Sequence, residues 1–264
     1  MFSFFLTHTL AQSQIQSVLP RIQVRPAKIP DRKDVWVFIM AGQSNMAGRG
    51  IIAAEDTLHT ERILTINKEG DLIYAREPLH FYEPTLVGLD CGLSFARRLL
   101  ENIPENVSIL IIPTAVGGSS IGQWLGDSTY RSVKLYSNFK HQVAIGKEYG
   151  TIKGILWHQG ESDAKPSLIE AYERNLTVLV SRFRDEAGNN KLPVVVGELG
   201  SYSATPDTWL RINKQLKQFV DHDPNTALVT TSDLIHKGDK IHFNSEGQRT
   251  LGRRYADAFL KMKK

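Results

Sequence analysis

Two short stretches, far apart in the chain, hold residue types that could together do nucleophilic chemistry. One is Gly42-Gln43-Ser44-Asn45-Met46-Ala47-Gly48 and the other is Asp239-Lys240-Ile241-His242. A serine hydroxyl is too weak an acid to attack a carbonyl until a base takes its proton. An imidazole can be that base when a carboxylate fixes its tautomer and balances the charge it acquires. The Asp239 to His242 spacing predicts a helical turn with both side chains on one face. Ser and Asn are equally favoured in turns that do no chemistry, so Ser44 taken alone leaves both readings open. Two further loops add polar groups. Gly117-Gly118 lacks Cβ atoms, so its backbone could point N–H groups at a developing oxyanion. His158-Gln159-Gly160-Glu161-Ser162-Asp163 gathers an imidazole, an amide and two carboxylates. His158, His236 and Glu161 are also metal-ligand types. No H-E-x-x-H helix accompanies them, and a serine mechanism requires neither metal nor cofactor, so none is expected.

These loops need a frame, and the chain supplies one by alternating strand and helix. Val35 to Met40 is a continuous run of apolar and β-branched residues, the pattern of a strand buried on both faces in a parallel sheet. Similar runs follow at 107–112, 152–157, 192–197 and 226–230. The first three lead directly into Ser44, the glycine pair and the His158 to Asp163 cluster. In open α/β sheets, ligands bind at the carboxyl ends of the strands. Apolar spacing predicts helices over 92–100, 130–149, 167–187 and 206–220, with Gly188 as a stop. Ser245 followed by Gln248 predicts a capping box for a last helix to about Lys261. Runs at 63–67 and 72–74 around a Gly-containing turn predict a hairpin. The expected architecture is a three-layer α/β/α sandwich around a mostly parallel sheet of about five strands, with right-handed crossovers.

Residues 35–264 are read as one domain, preceded by a leader and extended segment over 1–34; the 264-residue chain can bury a sizeable core. The net charge of +4 resides largely in the tails, at Arg21, Arg25, Lys28, Arg32, Lys33, Lys261, Lys263 and Lys264. No aromatic residues interleave with these charges, which argues against a nucleic-acid platform. No later stretch is long and apolar enough for a membrane span. Cys91 is the only cysteine, so an intrachain disulfide is impossible, and a buried small residue is its simplest reading. Residues 1–11 resemble a shortened secretion signal without a basic start. The corresponding expectation is a secreted or periplasmic protein, and otherwise a cytoplasmic one.

The order Ser, Asp, His also occurs in α/β-hydrolases, but Met46 stands where their elbow has its second glycine. The chain instead resembles the SGNH hydrolases, and within them the sialate O-acetylesterase and acetylxylan esterase-like group, carbohydrate esterase family 6. The resemblance rests on residues 42–48, on Gly117-Gly118 followed by Ile121 and Trp124, on residues 158–163, and on Asp239 to His242. It spans roughly Val35 to the end and implies the flavodoxin-like SGNH fold. It further implies Ser44 as nucleophile, His242 as base and then acid, and Asp239 as the orienting carboxylate. The oxyanion donors would be the N–H groups of Ser44 and Gly118 and the side chain of Gln159, which stands where the wider family has asparagine. Glu161 would share or replace the role of Asp239, or else pin its loop. Trp124 would stack on a sugar face, or else belong to the core. The implied activity is removal of O-acetyl groups from an acetylated carbohydrate, with specificity set by loops 51–90 and 201–208. The alternatives are a non-catalytic carbohydrate-binding protein on the same fold and a metal-dependent hydrolase.

Overall fold

The structure is a computed structural model and describes residues 22–262, so the signal-like stretch lies outside the described residues. Its centre is β1 (Val35–Gly42), in a seven-stranded sheet of order β3-β2-β4-β1-β7-β8-β9. The other members are β2 (Ile63–Ile66), β3 (Leu72–Tyr74), β4 (Ser108–Pro113), β7 (Thr151–His158), β8 (Val194–Gly197) and β9 (Thr226–Val229). All pairings are parallel except that of β2 with β3. The five expected strands are present, and the expected hairpin adds two more. Its first strand lies parallel to β4, so the hairpin widens the main sheet instead of standing apart.

The side chains of β1 alternate between two cores, as a period of two requires. Val35, Val37, Ile39 and Ala41 face one layer, and Phe38 and Met40 face the other. The helices are α1 (Ser44–Ala47), α2 (Gly92–Leu100), α3 (Ile121–Leu125), α4 (Leu135–Tyr149), α5 (Pro166–Ile169), α6 (Tyr172–Ala187), α7 (Pro206–His222) and α8 (Ser245–Met262). Helices α4, α6 and α7 bring Phe139, Phe183 and Leu216 to the first layer. Helices α2 and α8 cover the second, where the Phe38 ring meets Phe95 and Phe259 edge-on at 4.8 and 4.9 Å. The strands therefore lie between two helical layers, the expected sandwich.

Three local expectations are corrected. The helix expected from Tyr130 begins at Leu135, because Arg131 and Ser132 take positive φ and form a tight hairpin between β5 (Thr129–Tyr130) and β6 (Val133–Lys134). The segment 167–187 is two helices, α5 and α6, broken at Glu170 and Ala171, although Gly188 does end α6 in the left-handed conformation. The last helix is not closed by a Ser245 and Gln248 box. Asn244 Oδ1 accepts the Gly247 N–H instead, Ser245 Oγ donates to the Ile51 carbonyl, and the Gln248 amide donates to the Asn45 carbonyl.

Candidate active site

The chain switches direction across the sheet at β1, which lies between β4 and β7. The loops leaving these three strands therefore meet at one edge, the place where such sheets bind ligands. Gly42 ends β1 at a φ of +139°, and any Cβ there would collide with the His158 carbonyl. That close approach lets the Gln43 N–H donate to the same carbonyl at 2.9 Å, clamping the β1 turn to the end of β7. Ser44 is then the first residue of α1, where a helix N–H has no partner within the helix. Its side chain opens on a pocket of about 760 Å³ that is also lined by Gly117, Gly118, Glu161, Asp239 and His242.

In that pocket, Ser44 Oγ lies 2.9 Å from His242 Nε2, and His242 Nδ1 lies 2.7 Å from Asp239 Oδ2. The two distant sequence stretches thus meet in one hydrogen-bonded chain. The 239–242 segment is not the helical turn that the spacing predicts. Lys240 takes a φ of +58°, and Asp239 Oδ1 accepts the N–H groups of Ile241 and His242, an Asx-type turn that presents ring and carboxylate together. Burial raises the cost of the Asp239 charge. The hydrogen bonds from the His242 N–H and ring and from the Ile241 N–H outweigh that cost and bring the carboxyl down to about 2. Asp239 is therefore ionised at neutral pH, and a serine hydroxyl so paired has an acceptor for its proton.

Gly118 has a φ of +82°, and a Cβ there would press on the Tyr130 hydroxyl. Its peptide is held from two sides. Its carbonyl accepts from Ser162 Oγ at 2.9 Å, and the preceding Gly117 N–H donates to Glu83 Oε2 at 2.6 Å. Glu83 also faces Arg49 at 2.9 Å and Arg131 at 2.7 Å. Glu83 comes from the expected covering insertion, which places Thr85 and Leu86 along the pocket beside Arg49, while the 201–208 loop contributes Ser203, Ala204 and Thr205.

Gln159 as an oxyanion donor does not fit this geometry, and for Trp124 and Glu161 the geometry decides between the two readings that the sequence leaves open. The Gln159 amide is wholly buried and outside the pocket lining. Its Nε2 donates to Asp163 Oδ2 at 2.6 Å, Ser119 O at 3.1 Å and Gln43 Oε1 at 3.1 Å, and its Oε1 accepts from Tyr172. It has no donor left for an oxyanion. Gln43 is better placed. It lines the pocket, and its Oε1 accepts from Gln159 and the N–H groups of Gly160 and Ser162, so these partners leave its Nε2 unspent. Trp124 is also fully buried; its ring packs on Trp157 and Phe183 and its N–H donates to Ser119 Oγ, so it belongs to the core and not to a sugar platform.

Glu161 does not reach His242 by a hydrogen bond; its Oε1 accepts from Asn45 Nδ2 at 2.6 Å. The partner of His242 is Asp239. Glu161 lies 3.8 Å from His158 Nδ1, while His158 Nε2 meets the Glu198 carbonyl. Burial pushes the His158 imidazole toward its neutral form, against the pull of Glu161. His236 spends Nδ1 on the N–H groups of Gly238 and Lys240. Among the described residues, no group of three or more His, Cys, Asp or Glu could hold a metal ion.

Sequence reasoning passed over Gln43, Asn45, Arg49 and Glu83. The first two stand in the motif beside Ser44, and adjacency was their signal. Glu83 had none, since only the fold brings it to Gly117. Cys91 is buried against Met46, as expected.

The model of the family described as carbohydrate esterase, sialic acid-specific acetylesterase, matches residues 34–261. A protein from Arabidopsis thaliana described as a probable carbohydrate esterase is 28% identical over 245 residues, spanning 85% of this chain and 90% of its own length. The X-ray structure of that Arabidopsis protein superposes with a TM-score of 0.76 at 26% identity, covering 86% of this chain and 98% of the other. A carbohydrate acetylesterase from Xanthomonas citri superposes with a TM-score of 0.63 at 20% identity, covering 85% of this chain and 55% of the other, and shares the fold.

Proposed function

This chain belongs to the carbohydrate esterase family of sialic acid-specific acetylesterases, and from that premise we propose that it removes O-acetyl groups from glycans through an acetyl–Ser44 intermediate. The single observation that carries the reading is the continuous hydrogen-bonded chain from Ser44 Oγ through His242 to Asp239, facing one pocket. Ser44 Oγ attacks the acetyl carbonyl as His242 Nε2 takes its proton, and the charge on the imidazolium is balanced by Asp239. Negative charge then develops on the carbonyl oxygen. In this reading the N–H groups of Ser44 and Gly118 and the Gln43 amide receive it. His242 returns the proton to the departing sugar oxygen, which breaks the ester bond and leaves the acetyl group on Ser44. Water, deprotonated by the same imidazole, attacks the acetyl–serine, and acetate leaves as Ser44 recovers its proton.

The pocket lining also favours one sugar class. Arg131, Lys237 and Lys240 bring positive charge to it, with Arg131 drawn to Glu83 and Lys237 lying 3.8 Å from Asp239, while its two carboxylates, Glu161 and Asp239, are engaged by Asn45 and His242. An acetylated sugar that carries a carboxylate, as sialate does, suits this lining better than a neutral xylan. The test is acetate release from a panel of O-acetylated sialates, acetylated xylan and an aryl acetate, with Ser44→Ala as control. The expected result is release from the sialates at the highest kcat/KM, and loss of all release in the variant. Glycan binding with no release from any acetylated glycan would contradict the reading and support the non-catalytic alternative.

A further inference from the structure

Asn45 follows Ser44 in the chain, yet its side chain serves the other end of the site. Its Oδ1 accepts the Phe243 N–H at 3.1 Å, and its Nδ2 donates to the Ile241 carbonyl at 3.1 Å and to Glu161 Oε1 at 2.6 Å. Ile241 and Phe243 are the residues on either side of His242. One wholly buried amide thus holds the peptide groups that flank the base, while its own backbone carries the serine in the first turn of α1. The Asn45 carbonyl is fixed as well, by the Gln248 amide at 2.9 Å.

Only one of the two amide orientations fits these partners. Nδ2 must face the Ile241 carbonyl and Oδ1 the Phe243 N–H, since a carbonyl cannot donate and an N–H cannot accept. Glu161 makes the choice more stringent. It is a buried carboxylate with a side chain 6% exposed, and it sets a second acceptor on the Nδ2 side. A flipped amide would place Oδ1 against two acceptors at once, and it would leave the Phe243 N–H facing a donor.

We propose that Asn45 is a positioning residue that sets the Ser44–His242 distance, and that Glu161 acts on the site through Asn45 by fixing the amide's orientation. Asp239 orients the ring from within its own turn, whereas Asn45 ties that turn to the strand end that carries the nucleophile. This inference rests on the esterase reading. A fully active Ser44→Ala variant would remove both, while an inactive Ser44→Ala beside an unaffected Asn45 variant would remove this one alone.

The experiment exchanges donor and acceptor across the 2.6 Å contact. Asn45→Asp puts two carboxylates face to face and removes the donor to Ile241. Its kcat should fall about 10²-fold, the scale of an ångström of misplacement. KM should hold within about threefold, since the interactions lost are with the enzyme's own catalytic turn rather than with substrate. Labelling of Ser44 by a fluorophosphonate should slow by the same factor as kcat. In Asn45→Asp/Glu161→Gln, the amide introduced at position 161 can donate to the carboxylate introduced at position 45, and at least about tenfold of the loss should return. Glu161→Ala keeps Asn45 but frees its amide, and covers the case in which Asn45→Asp does not fold; it should lower kcat and the labelling rate together by about tenfold, with KM unchanged. A lowered melting temperature with a wild-type labelling rate per folded molecule in Asn45→Asp or Glu161→Ala, or a double variant no faster than Asn45→Asp, would overturn the proposal.

Discussion

Ser44 and His242 meet across 2.9 Å, but they are held by different kinds of structure. Ser44 and Asn45 sit at the end of the central strand, 6% and 0% exposed, on a turn clamped to the neighbouring strand ends. His242 and Asp239 ride a polar turn whose side chains are 19% and 33% exposed and whose shape comes mostly from its own hydrogen bonds. The hydroxyl is therefore positioned by the core of the protein, and the base by a loop docked against it. Changes on the strand side should cost stability, oxyanion binding or, at Asn45, the Ser44–His242 distance, while changes in the loop should cost proton transfer and leave the fold intact.

The largest effect that can test this contrast is Asp239→Asn. An amide cannot hold the imidazole in the same tautomer or balance its charge, so kcat should fall on the order of 10⁴-fold with little change in melting temperature. Glu161→Gln keeps an acceptor for Asn45 and should cost far less; equal losses in the two variants would mean that both carboxylates serve the imidazole. Next come the two glutamines. Gln43→Ala removes a candidate oxyanion donor and should cost about 10²- to 10³-fold in kcat per folded molecule, alongside a loss of stability because the Gln159 amide and the N–H groups of Gly160 and Ser162 lose their shared acceptor. Gln159→Ala leaves buried partners unpaired and should lower stability by about 1–3 kcal/mol, with a smaller fall in turnover per folded molecule. The reverse ranking in kcat would return Gln159 to the site.

The smallest effect is on acid stability. The Asp239 carboxyl titrates at about 2 in the folded protein, below the value of about 3.9 for an unfolded chain. Its folded form therefore binds fewer protons in that interval, so its contribution is complete above about pH 4 and fades as the pH falls toward 2. Denaturant midpoints of wild type and Asp239→Asn should differ by a constant amount above about pH 4 and converge below it. A difference that persists unchanged to about pH 2 would show that the carboxylate's charge is not what the turn uses.

The strands that carry the site were legible because burial on both faces leaves uninterrupted apolar runs such as Phe38-Ile39-Met40. The widening of the sheet by β2 and β3 was not, since a hairpin's local pattern does not record which edge it joins. The Asp239 to His242 spacing indicated the right pair for a partly wrong reason. Positive φ at Gly238 and Lys240 makes an Asx turn that achieves what a helical turn was expected to do. Gln43 and Gln159 are the same residue type in two neighbouring motifs, and only packing decides between them. One lines the pocket with its oxygen held by Gln159, and the other buries its nitrogen on Asp163. The sequence leaves Trp124 between two readings for a related reason, because a tryptophan in a helix just past a strand-end loop can face sugar or core, and here Trp157 and Phe183 enclose it.

Whether Ser44 takes the acetyl group with His242 as its base can be read from the covalent state of the serine itself. The enzyme is mixed with an aryl acetate, quenched with acid within one turnover, and the adduct mapped by peptide mass spectrometry. An acetyl group is expected on Ser44 in the wild-type protein, with its formation slowed by orders of magnitude in His242→Ala. Full turnover with no acetyl group on Ser44 at any quench time, or one that forms at the wild-type rate without His242, would refute the mechanism.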